Sequence, residues 1–119
     1  MNRLALGLLV LCAVLVGACS DPLPFDRREY AGEWRAAQMR LLITPEGRCE
    51  YERRRDGGQS TKINAPIQRF EGDNFVVGLG MFTTTFVVSQ PPRLVDGRWK
   101  MTVDGVELTR FSAEPEVQA

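Results

Sequence analysis

Two hydrophobic patterns divide this chain. From Leu4 to Val16 the side chains are apolar without a break, whereas beyond Tyr30 apolar residues return at every second position. Trp99, Met101 and Val103 alternate with Arg98, Lys100 and Thr102, and Val106 and Leu108 alternate with Glu107 and Thr109. Cys49 and Tyr51 alternate in the same way with Arg48, Glu50 and Glu52. A period of two is the pattern of strands with one face in a core and one in water. Phe82 to Val88 adds a run of threonine, valine and phenylalanine, residues that suit a pleated surface.

Turn residues punctuate these runs. Thr44-Pro45-Glu46-Gly47, Arg55-Asp56-Gly57-Gly58, Glu71-Gly72-Asp73-Asn74, Gln90-Pro91-Pro92, Asp96-Gly97 and Asp104-Gly105 all read as turns. Asp104-Gly105 predicts a hairpin, because both residues tolerate the positive φ angles of a two-residue type I′ turn. Strands are predicted at 31–36, 39–44, 48–54, 60–69, 74–79, 82–89, 98–103 and 106–111. A single helical turn fits near Asp26 to Glu29. The expected fold is all-β, a small antiparallel barrel or closed sandwich of seven or eight strands over 30–112. Residues 19–29, with Pro22 and Pro24, read as an extended tether, and 113–119 as a tail. Gly78 and Gly80, on either side of Leu79, mark a bulge or bend where the sheet curls.

The unbroken run has a different meaning. Arg3 precedes it, and about a dozen apolar residues are enough for an export signal but short for a bilayer span. It ends in Val16-Gly17-Ala18-Cys19, small residues ahead of a thiol. This segment resembles the lipobox of bacterial lipoproteins. The resemblance implies cleavage after residue 18, thioether attachment of lipid at Cys19 and acylation of the freed amine. Several acyl chains give stable anchoring, since each buried methylene adds about 0.8 kcal/mol. Ser20 follows the cysteine and Asp21 comes one position later, so the sorting pattern of such lipoproteins points to the outer membrane, facing the periplasm.

Charge and composition narrow the function. The chain carries 15 basic and 15 acidic residues, and loss of the signal removes Arg3, leaving 14 against 15. A near-neutral domain lacks the electrostatic footprint of a nucleic-acid binder. Of three cysteines, Cys12 falls in the signal and Cys19 carries lipid, so Cys49 has no partner within the mature chain and reads as a core thiol. The chain contains no histidine, the commonest general base at neutral pH and a leading metal ligand. Ser60, Ser89 and Ser112 lie in no nucleophile-elbow pattern. No enzyme, cofactor or metal site is expected.

Candidate binding residues come from two places. Arg53-Arg54-Arg55 ends a strand and offers either a solvated face or a site for an anionic partner. Gly32-Glu33-Trp34 on the first strand resembles the lipocalin-like barrels, in which the tryptophan closes one end and stacks on an arginine of the last strand. Arg110 stands where that arginine would be. The resemblance implies a barrel, although one this small is filled by its own side chains. Ala31-Gly32-Glu33-Trp34 also resembles periplasmic inhibitors of secreted metalloproteases, and Trp99 through Arg110, with Pro91-Pro92 ahead, resembles a group of small bacterial lipoproteins. The expected function is a lipid-anchored, non-catalytic protein-binding or accessory module of the cell envelope, with an inhibitory role one form of it. The alternative is a carrier or sensor of a small apolar ligand among Trp34, Phe75, Phe86 and Met101. The surfaces expected to meet a protein partner are the strand edges around Phe82 to Val88 or the Arg53 to Arg55 loop.

Overall fold

Nine strands carry the alternation in the computed structural model, which describes residues 20–111. The export signal, Cys19 and the tail at 113–119 lie outside the described residues. The strands are β1 (Gly32–Ala36), β2 (Met39–Ile43), β3 (Arg48–Arg54), β4 (Ser60–Glu71), β5 (Asn74–Leu79), β6 (Phe82–Phe86), β7 (Val88–Val95), β8 (Arg98–Val103) and β9 (Val106–Phe111). All pairings are antiparallel, in the order β6-β5-β4-β3-β2-β1-β9-β8-β7. The result is a curled, barrel-like all-β fold in which the last strand returns to pair with the first.

The sheet curls at β4. Its first half pairs with β3 from Ser60 to Pro66, and its second half pairs with β5 after a register shift between Ile67 and Arg69. A bulge of this kind bends and twists a strand. β5 and β6 are thereby brought over the inner face of the other strands. Phe86 of β6 meets Tyr51 of β3 with ring centroids 4.9 Å apart, and Phe75 stacks on Phe86 at 5.1 Å. These rings join Trp34, Leu41, Ile43, Met101 and Leu108 in one buried cluster. Cys49 lies in the same core, where burial, and secondarily Glu50, pushes its thiol up to about 12. A thiol so placed is neutral at physiological pH and closed to reagents.

Where β6 passes into β7, side chains complete the closure. Val87 N donates to Asp104 Oδ1 at 2.9 Å and Asp104 N donates to Val87 O at 2.8 Å, while Val88 N donates to Asn74 Oδ1 at 2.8 Å. Asp104 has φ 49° and Gly105 φ 79°, the backbone of the expected type I′ hairpin, and Asp96-Gly97 matches it at 52° and 82°.

Three expectations change. The predicted strand 82–89 is two strands, parted at Val87. The turn expected at Gln90-Pro91-Pro92 is instead the middle of β7, pairing with β8 through register shifts between Val88 and Arg93. β7 ends the sheet, and an edge strand tolerates prolines because its outward groups need no ladder partner. The tether also proves to be part of the domain from Asp21 onward. Leu23 is buried, its N–H donates to Pro45 O at 3.0 Å, and a 3₁₀ helix at Phe25–Tyr30 packs Tyr30 against Phe70 and Phe75.

Candidate functional site

Strand register brings Trp34 and Arg110 together. Trp34 of β1 lies opposite Arg110 of β9, and both project to the inner side, as does Trp99 one strand further on. The Arg110 guanidinium carbon sits 5.5 Å from the Trp34 ring centroid and 4.9 Å from that of Trp99. Its Nη1 donates to the carbonyls of Glu29 and Ala31, each at 3.3 Å, at the end of the 3₁₀ helix. Trp34 Nε1 donates to Tyr30 O at 2.9 Å. One cation therefore ties the first strand, the last strand, β8 and the entering helix into a single knot. Burial lowers the Arg110 pKa, with Glu29 opposing the shift.

The Trp34 side of this arrangement lies in the core. Trp34 is 0% exposed and cannot meet a ligand from solution. Trp34, Phe75, Phe86 and Met101, which the carrier reading needs around a cavity, all pack in the same core at 0–1% exposure. Arg110 and Trp99 of the knot also line an open groove of about 910 Å³ that runs past Gly97 and Phe111, with Glu33 and Arg98 among its other charged walls. Glu33 there accepts from Arg40 Nε at 2.9 Å and from Arg35 Nε at 2.8 Å. These hydrogen bonds, Arg40 first, hold its carboxyl below the usual glutamate range.

The three consecutive arginines do not converge. Arg53 lies on the same side of β3 as buried Cys49 and Tyr51, and Arg54 points outward with Glu52. Arg55, in the turn, donates from Nη1 to Thr61 Oγ1. Alternation of side chains along a strand splits such a run between two faces. No single anion cradle forms from them. Among the described residues, no group of three or more His, Cys, Asp or Glu gathers as metal ligands.

The surface that stands out lies on β5 and β6. Phe82, Thr83, Thr84 and Thr85 are all exposed, and β6 ends the sheet with one side unpaired. No charged residue occurs from Asn74 to Pro92. Edge strands are usually blunted by lysine, proline or a bulge. β7 has its prolines, but β6 has none of these. At the hairpin tip between β5 and β6, Leu79, Met81 and Phe82 are 58%, 86% and 82% exposed. Sequence reasoning picked out the Phe82 to Val88 edge but missed the tip, although the uncharged stretch around it was visible. No family model, curated protein or solved structure matches this chain.

Two predictions follow from the knot and its neighbour. Gly32 has φ 135°, and a methyl group built on it would lie 2.5 Å from Arg110 Cδ. Gly32→Ala should therefore cost about 1–3 kcal/mol of unfolding free energy through strain and crowding. In an Arg110→Ala background the crowding disappears, so a double-mutant cycle by urea denaturation should give a clearly sub-additive loss. The second concerns acid. Because Glu33 has its pKa lowered by folding, its contribution is complete above the ordinary glutamate pKa of about 4.3 and is lost as pH falls through the depressed folded value. Glu33→Gln should flatten that acid limb of stability while costing under about 1 kcal/mol at neutral pH, as expected of ion pairs near the surface.

Proposed function

We propose that this protein is a lipid-anchored, non-catalytic binding module of the bacterial cell envelope, held by acylated Cys19 at the outer membrane and facing the periplasm. Its partner is a protein that contributes an extended segment to the free edge of β6. The observation that carries this reading is that edge itself: four successive exposed residues, no charge and no proline. An unpaired strand offers a row of N–H and C=O groups to any extended chain, and strand addition is a recurrent mode of peptide recognition. A packed interior supports use of the outside of the barrel over a ligand within it. The absence of histidine and the buried state of Cys49 support binding over catalysis.

Such a module fits an accessory or inhibitory role, in which occupation of a partner's segment is itself the effect. The test is crosslinking in intact cells followed by mass spectrometry, comparing the native chain with Thr83→Lys/Thr85→Lys. Charges on an edge oppose pairing with a new strand. The variant should lose the crosslinked partner while its unfolding free energy stays within about 0.5 kcal/mol per substitution, as surface changes usually do. A partner captured equally by both forms, or recovery of the monomer alone from the native chain, would refute the edge as the binding surface. Cys19→Ser should abolish acyl labelling and membrane retention; unchanged fractionation would overturn the anchor.

A further inference from the structure

The course of the N-terminal segment gives the apolar tip an occupant. Arg27 Nη2 donates to Gly72 O, at the turn between β4 and β5. Going back toward the N-terminus, residues Asp21 to Pro24 line a cleft with Ile67 to Phe70, and Asp21 lines a second one with Gln68, Gly78, Leu79 and Gly80. The segment therefore runs along β4 from the Gly72 turn toward the β5–β6 tip. Gly47 is pressed so closely on the Asp21 carbonyl that no side chain would fit between them, which fixes the exit point. Cys19 is two residues further on, within about 7 Å of Asp21 along even a fully extended chain.

The geometry points to a second membrane contact: Leu79, Met81 and Phe82 enter the headgroup–acyl boundary of the same phospholipid bilayer that holds the Cys19 lipid. This rests on the anchor reading of Cys19. Three large apolar side chains together on one projecting turn form a patch that water disfavours, and burial in a membrane interface relieves it. The neighbouring sequence is suited to that depth, since Asn74 to Pro92 brings no charge with it. The turn's backbone is partly provided for as well, because Gln68 Nε2 donates to Gly80 O at 3.0 Å. At the other end of the β3–β4 ladder, about 20 Å from Pro66 at ordinary strand rise, the turn carrying Arg55 and Asp56 remains in water.

The contact is tested on the full chain, exported and processed in cells and then reconstituted into vesicles of phosphatidylethanolamine and phosphatidylglycerol. An environment-sensitive maleimide dye is placed at Met81→Cys or, as a control, at Gln59→Cys, both exposed positions; the buried Cys49 thiol does not compete. With brominated acyl chains in the vesicles, the dye at 81 should shift to the blue and be quenched, and the dye at 59 should do neither. A dye at 81 that behaves like the one at 59 overturns the proposal. Excimer emission from pyrene at 81 at high lipid dilution also overturns it, because a second copy then covers the tip. The mass of the N-terminal peptide is read on the same samples. A missing acyl mass ends both the anchor reading and this one, whereas an acylated protein with position 81 in water ends only this one.

Discussion

The pairing of the last strand with the first, with Arg110 of β9 set opposite Trp34 of β1, is the constraint on which the rest of this fold depends. Without that pairing β7, β8 and β9 would form a sheet apart from β1 to β6, and the core face of β1 would lose its neighbour. Here the guanidinium between Trp34 and Trp99 fixes which residue of β9 faces which residue of β1, and a slip by one would turn every inward side chain outward. The carbonyls of Glu29 and Ala31 then draw the 3₁₀ helix onto the same cation. Gly32 has no side chain because Arg110 occupies the space where one would be. The cost of half-burying an arginine is offset by these contacts, two aromatic faces and two carbonyl oxygens, all supplied locally.

That constraint was legible in the sequence because its parts are individually unusual. A G-x-W at the start and an arginine at the end of the last alternating run are few enough to be matched, and Asp104-Gly105 dictates its turn through the backbone alone. β7 was not legible in the same way. Pro91-Pro92 is a turn signal unless the strand is an edge, and edge position is a property of the assembled sheet. Leu23 was hidden for a related reason: one apolar residue among prolines has no period, and its place in the core, where Pro45 across the fold accepts its N–H, is a property of the assembled fold. The arginine run misled through its density. Its three side chains are adjacent in sequence, yet strand geometry and the following turn send them to different surroundings.

The exposed tip sets a limit of another kind. Leu79, Met81 and Phe82 have the residue types of a core, and alternation places Phe82 on the same side of β6 as buried Phe86. Their exposure follows from the hairpin projecting past the strands that would cover it, which depends on where the β4 bulge bends the sheet. Local pattern reports which face is apolar, and only the bend decides how far along the strand that face stays covered. The free edge and the tip therefore share one origin: a sheet that curls over itself and runs out of partners at β6.

This origin orders the proposed surfaces in space. The chain leaves toward Cys19 beside the β5–β6 tip, so a short lipid anchor would hold that end against the bilayer. The segment from Asp21 to Leu23 cannot swing as a loose tether, since Leu23 is in the core and Asp21 is wedged at Gly47. With the proposed lipid on Cys19, Ser20 alone would separate it from Asp21 of the folded domain, which would leave the domain few orientations. A β6 edge held close to the membrane would meet segments that lie along it more readily than those deep in the periplasm. The Arg54–Ser60 end would face away, where its exposed charges remain hydrated. On the proposed reading, anchor, tip and edge would act as one device, in which the first two fix the orientation at which the third is presented.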